Sequence, residues 1–204
     1  MKKICIIDYK INNISSIKKA VNETGYEFDV IDSGDQFYNY SHVILPGIGS
    51  FAAGIKQLKK LNLFDLIVEN KNKIYFFGIC LGMQLLLEKS EEDNNESRGL
   101  GIIKGSVKKI KIKKDLLNIY CPHIGWNNIY SKKKNNLFDI DIKKDFYFAN
   151  SFYVDPDDKN IIEYSFLHGD EYPAIINKDN IFGVQFHPEK SKEGIKILNN
   201  FCNL

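Results

Sequence analysis

The sequence predicts an α/β fold, with a parallel sheet covered by helices on both faces and extra antiparallel strands in the C-terminal half. From residue 3 to residue 89, short apolar runs typical of buried strands alternate with segments whose apolar residues recur at helical spacing. From residue 105 onward, short strand-like runs separated by turn residues replace that alternation. The length of 204 residues and the 44% hydrophobic content suit one domain that spans residues 1–204.

The first half of the chain has a strand–helix–strand rhythm, which implies a parallel sheet. Its first segment, residues 3–8, is an apolar run that ends in an acid, and the helix that follows is expected to end at Gly25. Strands are predicted at 3–8, 26–31, 42–45 and 74–77, and helices at 13–24, 51–61, 63–70 and 81–89.

The second half begins with a polar, acidic segment at residues 90–98, which we expect to be a surface loop. Short strands then follow between residues 105 and 150, with turns predicted at Asn127-Asn128 and Asn135-Asn136. Further strands are predicted at 161–166, 174–176 and 181–186, and a last helix at 191–201 with Ser191 as its N-cap.

The composition and charge of the chain argue against several classes of protein and site. The formal net charge is only +2, from 28 basic and 26 acidic residues, which argues against a nucleic-acid binder. Arg98 is the only arginine, so an arginine clamp for phosphate or carboxylate is nearly excluded. No apolar run approaches the roughly 20 residues of a membrane helix, and the four cysteines have no zinc-type spacing. We therefore expect a reduced, cytoplasmic protein with no metal, no cofactor and no membrane segment.

The strongest chemical signal lies in residues 74–84. An apolar strand runs into Gly78-Ile79-Cys80-Leu81-Gly82 and then into a helix, which is the nucleophile elbow of Gly-x-Ser-x-Gly enzymes with sulfur in place of oxygen. This turn would lift Cys80 to a helix N-terminus, where the dipole favours a thiolate. The Leu81 N–H would form one arm of an oxyanion hole. The alternative is a small buried cysteine between two packing glycines.

A thiolate nucleophile needs a base and an orienting group, and residues 183–189 supply both. A buried strand leads to His187, and Pro188 favours an extended conformation there. Because residues two apart in an extended segment share a side, His187 and Glu189 are expected to face Cys80 together. Two further histidines are expected to be structural or on the surface, namely His42 and His168.

The segment Pro46-Gly47-Ile48-Gly49 follows a predicted strand, and its backbone N–H groups are candidates for a second oxyanion arm. It also matches Gly-x-Gly-x-x-Ala, the dinucleotide-binding pattern. That alternative is weak, because a proline precedes the first glycine and no ribose-binding acid follows at the proper distance.

These three segments, in this order, resemble the class I (triad-type) glutamine amidotransferases, and most closely the glutaminase subunits of imidazole glycerol phosphate synthases. The segment Pro122-His123-Ile124-Gly125-Trp126-Asn127 separates these subunits from other members of the class. The resemblance implies a flavodoxin-like mixed sheet. The matching stretches span nearly the whole chain, at residues 46–51, 78–86, 99–105, 122–127 and 183–191.

The resemblance implies hydrolysis of L-glutamine, with Cys80 as nucleophile, His187 as general acid and base, and Glu189 as the orienting group. It further implies a heterodimer in which ammonia passes to a (β/α)8-barrel synthase subunit. That subunit would form imidazole glycerol phosphate and aminoimidazole carboxamide ribotide in histidine biosynthesis. The residues implied for binding glutamine and its oxyanion are Gly47, Gly49, Leu81, Gln84, Ser151 and Phe152. The residues implied for docking the barrel subunit are Asn13, His123, Trp126 and Asn127.

Two places depart from the family pattern. Lys10-Ile11-Asn12-Asn13 stands where the family has Gly-x-Gly-Asn, and Asn150 replaces the usual histidine before Ser151. Neither departure changes the three residues implied for catalysis, but both leave undetermined which molecule accepts the ammonia. The leading alternative is a related glutaminase subunit that supplies ammonia for sugar amidination in bacterial surface-glycan biosynthesis. Two further hypotheses are a catalytically silent binding subunit and a cysteine peptidase or esterase of similar fold.

Overall fold

The computed structural model describes residues 2–11, 13–112, 119–132 and 144–204. Its centre is an eight-stranded sheet whose strands lie in the spatial order β2 (Phe28–Ile31), β1 (Ile4–Ile7), β3 (His42–Gly47), β4 (Tyr75–Cys80), β13 (Ile181–Val184), β12 (Asp170–Lys178), β11 (Ile162–His168) and β8 (Tyr130–Ser131). The first five of these strands run parallel to one another, and the last three pair antiparallel. The order β2-β1-β3-β4 is that of flavodoxin-like doubly wound sheets. The predicted mixed sheet, with antiparallel strands from the C-terminal half, is therefore confirmed.

Within the described residues, the structure has five α-helices, thirteen strands and four short 3-10 helices. The helices are α1 (Ile14–Glu23), α2 (Phe51–Lys60), α3 (Phe64–Glu69), α4 (Leu81–Leu85) and α5 (Lys192–Cys202). The strands of the central sheet are β1 (Ile4–Ile7), β2 (Phe28–Ile31), β3 (His42–Gly47), β4 (Tyr75–Cys80), β8 (Tyr130–Ser131), β11 (Ile162–His168), β12 (Asp170–Lys178) and β13 (Ile181–Val184). Two smaller sheets contain β5 (Lys89–Ser90), β6 (Gly105–Lys109) and β10 (Phe152–Pro156), and β7 (His123–Asn128) with β9 (Asp145–Asn150).

Helices cover both faces of the central sheet because successive side chains of each strand point to opposite sides. Leu45 of β3 packs with Leu58 of α2 on one face. The preceding residue, Ile44, packs with Ile17 of α1 and Leu198 of α5 on the other face. The predicted helices on both faces are therefore confirmed, and the sheet is buried between them.

The predicted helix at 81–89 is wrong in its second half, because α4 ends at Leu85. The carbonyl of Leu85 accepts the N–H of Leu100, and the carbonyl of Leu86 accepts the N–H of Ile102. Lys89–Ser90 then pairs with β6 as a short strand. Hydrogen bonds to residues distant in the sequence therefore replace the backbone bonds of the helix that the spacing of the leucines predicts.

Two of three other predictions can be compared with the structure. The turn predicted at Asn127-Asn128 is wrong, since both residues lie in β7 and pair with β9. The turn at Asn135-Asn136 lies outside the described residues. The predicted N-cap is confirmed, because the Ser191 side chain accepts the Gly194 N–H at 3.0 Å. Among the described residues, no helix is long and apolar enough to cross a membrane.

Candidate active site

The elbow at Cys80 is formed where β4 ends and α4 begins. Cys80 has φ +51°, an unfavourable backbone conformation for a residue with a side chain. The flanking glycines are required by close packing of α4 on the sheet. A Cβ on Gly82 would overlap the Leu45 carbonyl, and one on Gly78 would lie 2.7 Å from the Met83 nitrogen. The elbow places the Cys80 thiol at the C-terminal edge of the parallel strands.

His187 follows β13, the strand beside β4, so sheet pairing brings it to the same edge as Cys80. Its Nδ1 lies 2.9 Å from Oε1 of Glu189, whose side chain is only 2% exposed. His187 itself is extended, as predicted, but the expectation that the extended segment continues to Glu189 is wrong, because Pro188–Lys190 form a 3-10 turn. That turn bends the carboxylate back onto the imidazole rather than toward Cys80. Glu189 therefore reaches the cysteine only through His187.

Electrostatics favour a protonated imidazole at this site. Burial disfavours the charged ring and would by itself lower the pKa of His187. Hydrogen bonds to Cys80 and Glu189, together with the charges of those groups, outweigh burial and raise the pKa to about 10. Because Glu189 holds Nδ1, the Nε2 nitrogen is the one left to exchange a proton with the Cys80 sulfur.

A cavity of about 290 Å³ opens beside the thiol. Most of the residues that the sequence indicated line it, namely Gly49, Cys80, Leu81, Gln84, Ser151, Phe152 and His187. Gly47 is not part of this lining. It pairs with Cys80 in the sheet, and a Cβ at Gly47 would overlap the Tyr9 hydroxyl. The structure thus brings seven of these residues together and places Gly47 behind them.

The segment 47–49 presents its backbone to the cavity only in part. The Ile48 N–H donates to the Ile11 carbonyl at 3.2 Å and is therefore turned away from the sulfur. Gly49 lines the cavity with φ +98°, a left-handed conformation that favours glycine. The carbonyls on the opposite wall are engaged, since Ser151 accepts the Ile110 N–H and Phe152 accepts the Gln84 amide.

Two polar residues of the site were missed by the sequence analysis. Glu92 lines the cavity, and its carboxylate accepts the Phe51 N–H at 2.6 Å. It belongs to the segment assigned as a surface loop, and no sequence pattern distinguishes it from its acidic neighbours. Gln185 is fully buried and donates to the Cys80 sulfur at 3.7 Å. The two-residue periodicity of the extended segment that ends at His187 would have identified Gln185.

The residues implied for docking a partner occupy different environments. Trp126 is 55% exposed, and Asn13 is exposed at the start of α1. His123 is buried, with its ring stacked on Phe148 and Phe166. Asn127 donates from its side chain to the Leu167 carbonyl at 2.8 Å. Because the His123 ring is covered, it could affect docking only by positioning the side chains that it contacts.

The two histidines expected to be structural make local contacts. His42 is buried and stacks on Tyr75, and His168 bonds the Tyr120 carbonyl at 2.7 Å. Within the described ranges, no three His, Cys, Asp or Glu side chains form a group that could hold a metal ion. The polar side chains that line the cavity are a thiol, an imidazole, one carboxylate, two amides and a hydroxyl.

Comparison with known proteins identifies the family. The model of the family "Glutamine amidotransferase class-I" matches residues 5–203. The chain is 40% identical to the imidazole glycerol phosphate synthase subunit HisH 1 of Methanococcus maripaludis, over 98% of this chain and 99% of that protein. It is 41% identical to the HisH subunit of Methanocaldococcus jannaschii, again over 98% and 99% of the two chains.

Solved structures share the fold at lower identity. A crystal structure of a glutamine amidotransferase is 13% identical with a TM-score of 0.73, covering 98% of this chain and 99% of that chain. A glutamine amidotransferase from Thermotoga maritima is 19% identical with a TM-score of 0.61, covering 97% and 80%. From its sequence relatives and the matching family model, this chain belongs to the class I glutamine amidotransferases, and within them to the HisH subunits of imidazole glycerol phosphate synthase.

Proposed function

We propose that this chain is the glutaminase subunit of an imidazole glycerol phosphate synthase, and that Cys80, His187 and Glu189 form its catalytic triad. The observation that carries the proposal is the cavity beside the elbow, where Cys80 and His187 share the lining and Glu189 holds the imidazole from behind. The full-length similarity to HisH subunits supports glutamine as the substrate.

The reaction begins with transfer of the Cys80 proton to His187, which leaves a thiolate and an imidazolium. The sulfur attacks the side-chain amide carbon of glutamine, and the oxygen becomes an oxyanion near the Leu81 N–H. The carbon–nitrogen bond then breaks while His187 returns its proton to the nitrogen, so that ammonia leaves. A water molecule gives a proton to His187 and attacks the thioester, and this step releases glutamate and restores Cys80.

The cavity walls suit the two ends of glutamine. The amide end would lie between Cys80 and Gly49, and the α-ammonium group would lie at Glu92, the carboxylate among the lining residues. A carboxylate bonded to an ammonium group is one of the stronger hydrogen-bonded pairs in proteins. Gln84 and the segment Ser151-Phe152 would close the remaining wall.

The ammonia would pass to a separate (β/α)8-barrel synthase subunit in histidine biosynthesis. Two exposed apolar side chains on one face of β7, Ile124 and Trp126, are available for that subunit, and Tyr120 and Leu167 are also more than half exposed. Exposed apolar residues that lie close together are typical of protein–protein interfaces. Asn13 borders a small crevice that also reaches Gly47, His187 and Glu189, so docking near α1 would lie close to the triad.

The experiment is an assay of glutamate release from L-glutamine by the chain with and without the barrel subunit of the same organism. The proposal predicts turnover that requires the intact triad, and complementation of a histidine-requiring strain that lacks its own glutaminase subunit. Turnover without complementation would reject the histidine pathway and favour the sugar-amidination alternative. Peptide or ester cleavage without glutamine turnover would reject the proposed activity altogether.

A further inference from the structure

A buried amide contacts the sulfur of Cys80 from the side of the sheet. Gln185 follows β13 and is 0% exposed. Its backbone N–H donates to the Ala174 carbonyl at 2.9 Å, which fixes the main chain. Its side-chain Nε2 lies 3.7 Å from the Cys80 Sγ, within hydrogen-bond distance for sulfur. The Gln185 amide is therefore in contact with the nucleophile.

The orientation of this amide follows from its neighbours. Gln84 Nε2 donates to the Phe152 carbonyl at 3.2 Å and to Gln185 Oε1 at 3.2 Å. A backbone carbonyl can only accept, so the NH2 group of Gln84 must face Phe152. The oxygen of Gln185 then accepts from that same NH2 group, and the NH2 group of Gln185 must face Cys80. If the Gln185 amide were flipped, its NH2 group would face the NH2 group of Gln84, and both are donors. Its oxygen would then face the Cys80 thiolate, and both are acceptors.

We propose that Gln185 is a hydrogen-bond donor that stabilises the Cys80 thiolate, and that Gln84 is the positioning residue that orients it. The inference rests on the proposed glutaminase function. A thiolate is a far better acceptor than a thiol, so a fixed N–H donor favours the charged form. An amide cannot take the proton itself, so it leaves proton transfer to His187. The bond from Gln84 polarises the Gln185 amide and strengthens its donor end.

Gln84 also lines the cavity, so the chain of bonds runs from the substrate wall to the nucleophile: Phe152 carbonyl, Gln84, Gln185, Cys80. Here the side chain of Gln185 uses its oxygen on Gln84 and its nitrogen on the sulfur. The sulfur therefore has a neutral donor in addition to the His187 imidazole.

The test is the pH dependence of Cys80 alkylation by iodoacetamide, a neutral reagent, in the full chain carrying Cys121→Ser. That background removes the cysteine that is only partly buried. Gln185→Met keeps the length of the side chain and removes the donor. We expect the pH of half-maximal alkylation to rise by about one unit, so that alkylation at a pH well below the midpoint becomes about tenfold slower. Gln84→Met is expected to shift the midpoint in the same direction by less, although Gln84 does not touch the sulfur.

Glutamine turnover with the barrel subunit is the second readout. We expect Gln185→Met to lower kcat about tenfold while KM changes less than about twofold. The matched control is Asn180→Met, which removes a side-chain amide that donates to the Lys71 and Ile74 carbonyls and should leave both readouts unchanged. If Gln185→Met does not fold, Gln185→Glu, which is isosteric and carries no donor when ionised, provides the same test with a larger upward shift.

An unchanged alkylation midpoint in the folded Gln185 variants would overturn the inference. The alkylation assay needs no glutamine turnover, so the two proposals can fail separately. Wild-type protein that alkylates as expected but hydrolyses no glutamine would reject the proposed function alone. Wild-type turnover together with unaffected Gln185 variants would reject the role of Gln185 alone.

Discussion

The Nδ1 atom of His187 lies 2.9 Å from Oε1 of Glu189, and the carboxylate is almost fully buried. This contact fixes the imidazole so that its other nitrogen faces Cys80, and it stabilises the imidazolium that forms on proton transfer. Hydrogen bonds to Cys80 and Glu189 raise the pKa of His187 to about 10 against the opposing effect of burial. The carboxylate is therefore expected to be important for turnover although it touches no substrate.

Glu189→Gln tests this contact. The amide can present an N–H to Nδ1 and so favour the wrong tautomer, which is expected to lower kcat about 100-fold or more with little change in KM. Steady-state glutaminase kinetics with the barrel subunit measure the effect. Glu193→Gln, in the first turn of α5, is the control and should keep wild-type rates. Equal rates for Glu189→Gln and wild type would contradict the orienting role.

Glu92→Gln tests the proposed ammonium site. The amide keeps an oxygen for the Phe51 N–H but loses the charge, so KM for glutamine is expected to rise about tenfold or more, with a smaller change in kcat. Glu96→Gln changes a carboxylate of the same loop that lies outside the cavity lining and should have no effect. A similar KM in both variants would place the ammonium group elsewhere.

Gly47→Ala tests the packing behind the elbow. The new Cβ would overlap the Tyr9 hydroxyl and would lie 2.9 Å from the Leu81 Cβ, so we expect a loss of about 1–3 kcal/mol in the free energy of unfolding. Tyr9→Phe alone should be neutral or stabilising, since the buried hydroxyl has no hydrogen-bond partner among the residues that the structure describes. Combined with Gly47→Ala, it should restore part of the loss. Denaturant unfolding of the four proteins measures the coupling, and strictly additive effects would contradict the proposed clash.

Acid should destabilise the fold through His42. Burial, with a smaller effect of Lys2, lowers the pKa of His42 to about 4 from an ordinary value of 6.5. Between these values the unfolded chain binds a proton that the folded chain does not, so stability falls as pH drops from 6.5 to 4. A histidine with a lowered pKa changes the free energy of unfolding by at most about 1.4 kcal/mol per pH unit.

His42→Phe keeps the ring stacked on Tyr75 and removes the titrating group. Its unfolding free energy, measured by denaturant titration at several pH values, should fall less steeply over this window. The pKa of His123 is also lowered to about 4, mainly by burial, so some dependence should remain. A slope equal to that of the wild type would show that His42 does not couple folding to pH.

The sequence was most informative where local geometry decides the structure. The apolar strand, the glycines around Cys80 and the helix after it predict the elbow because strand, turn and helix are neighbours in the chain. The end of α4 at Leu85 was missed because the bonds that replace the helix come from residues near Leu100. The contacts of Glu92 and Gln185 were missed for the same reason, since each joins distant parts of the chain.

The proposed reaction requires that Cys80 form a covalent intermediate with glutamine. The most direct measurement is mass spectrometry of the acid-quenched enzyme during turnover with L-glutamine and the barrel subunit. We predict a γ-glutamyl adduct on the peptide that contains Cys80, and no adduct and no glutamate release with Cys80→Ala. Glutamate release at the wild-type rate by Cys80→Ala, or an adduct on another cysteine, would contradict the account.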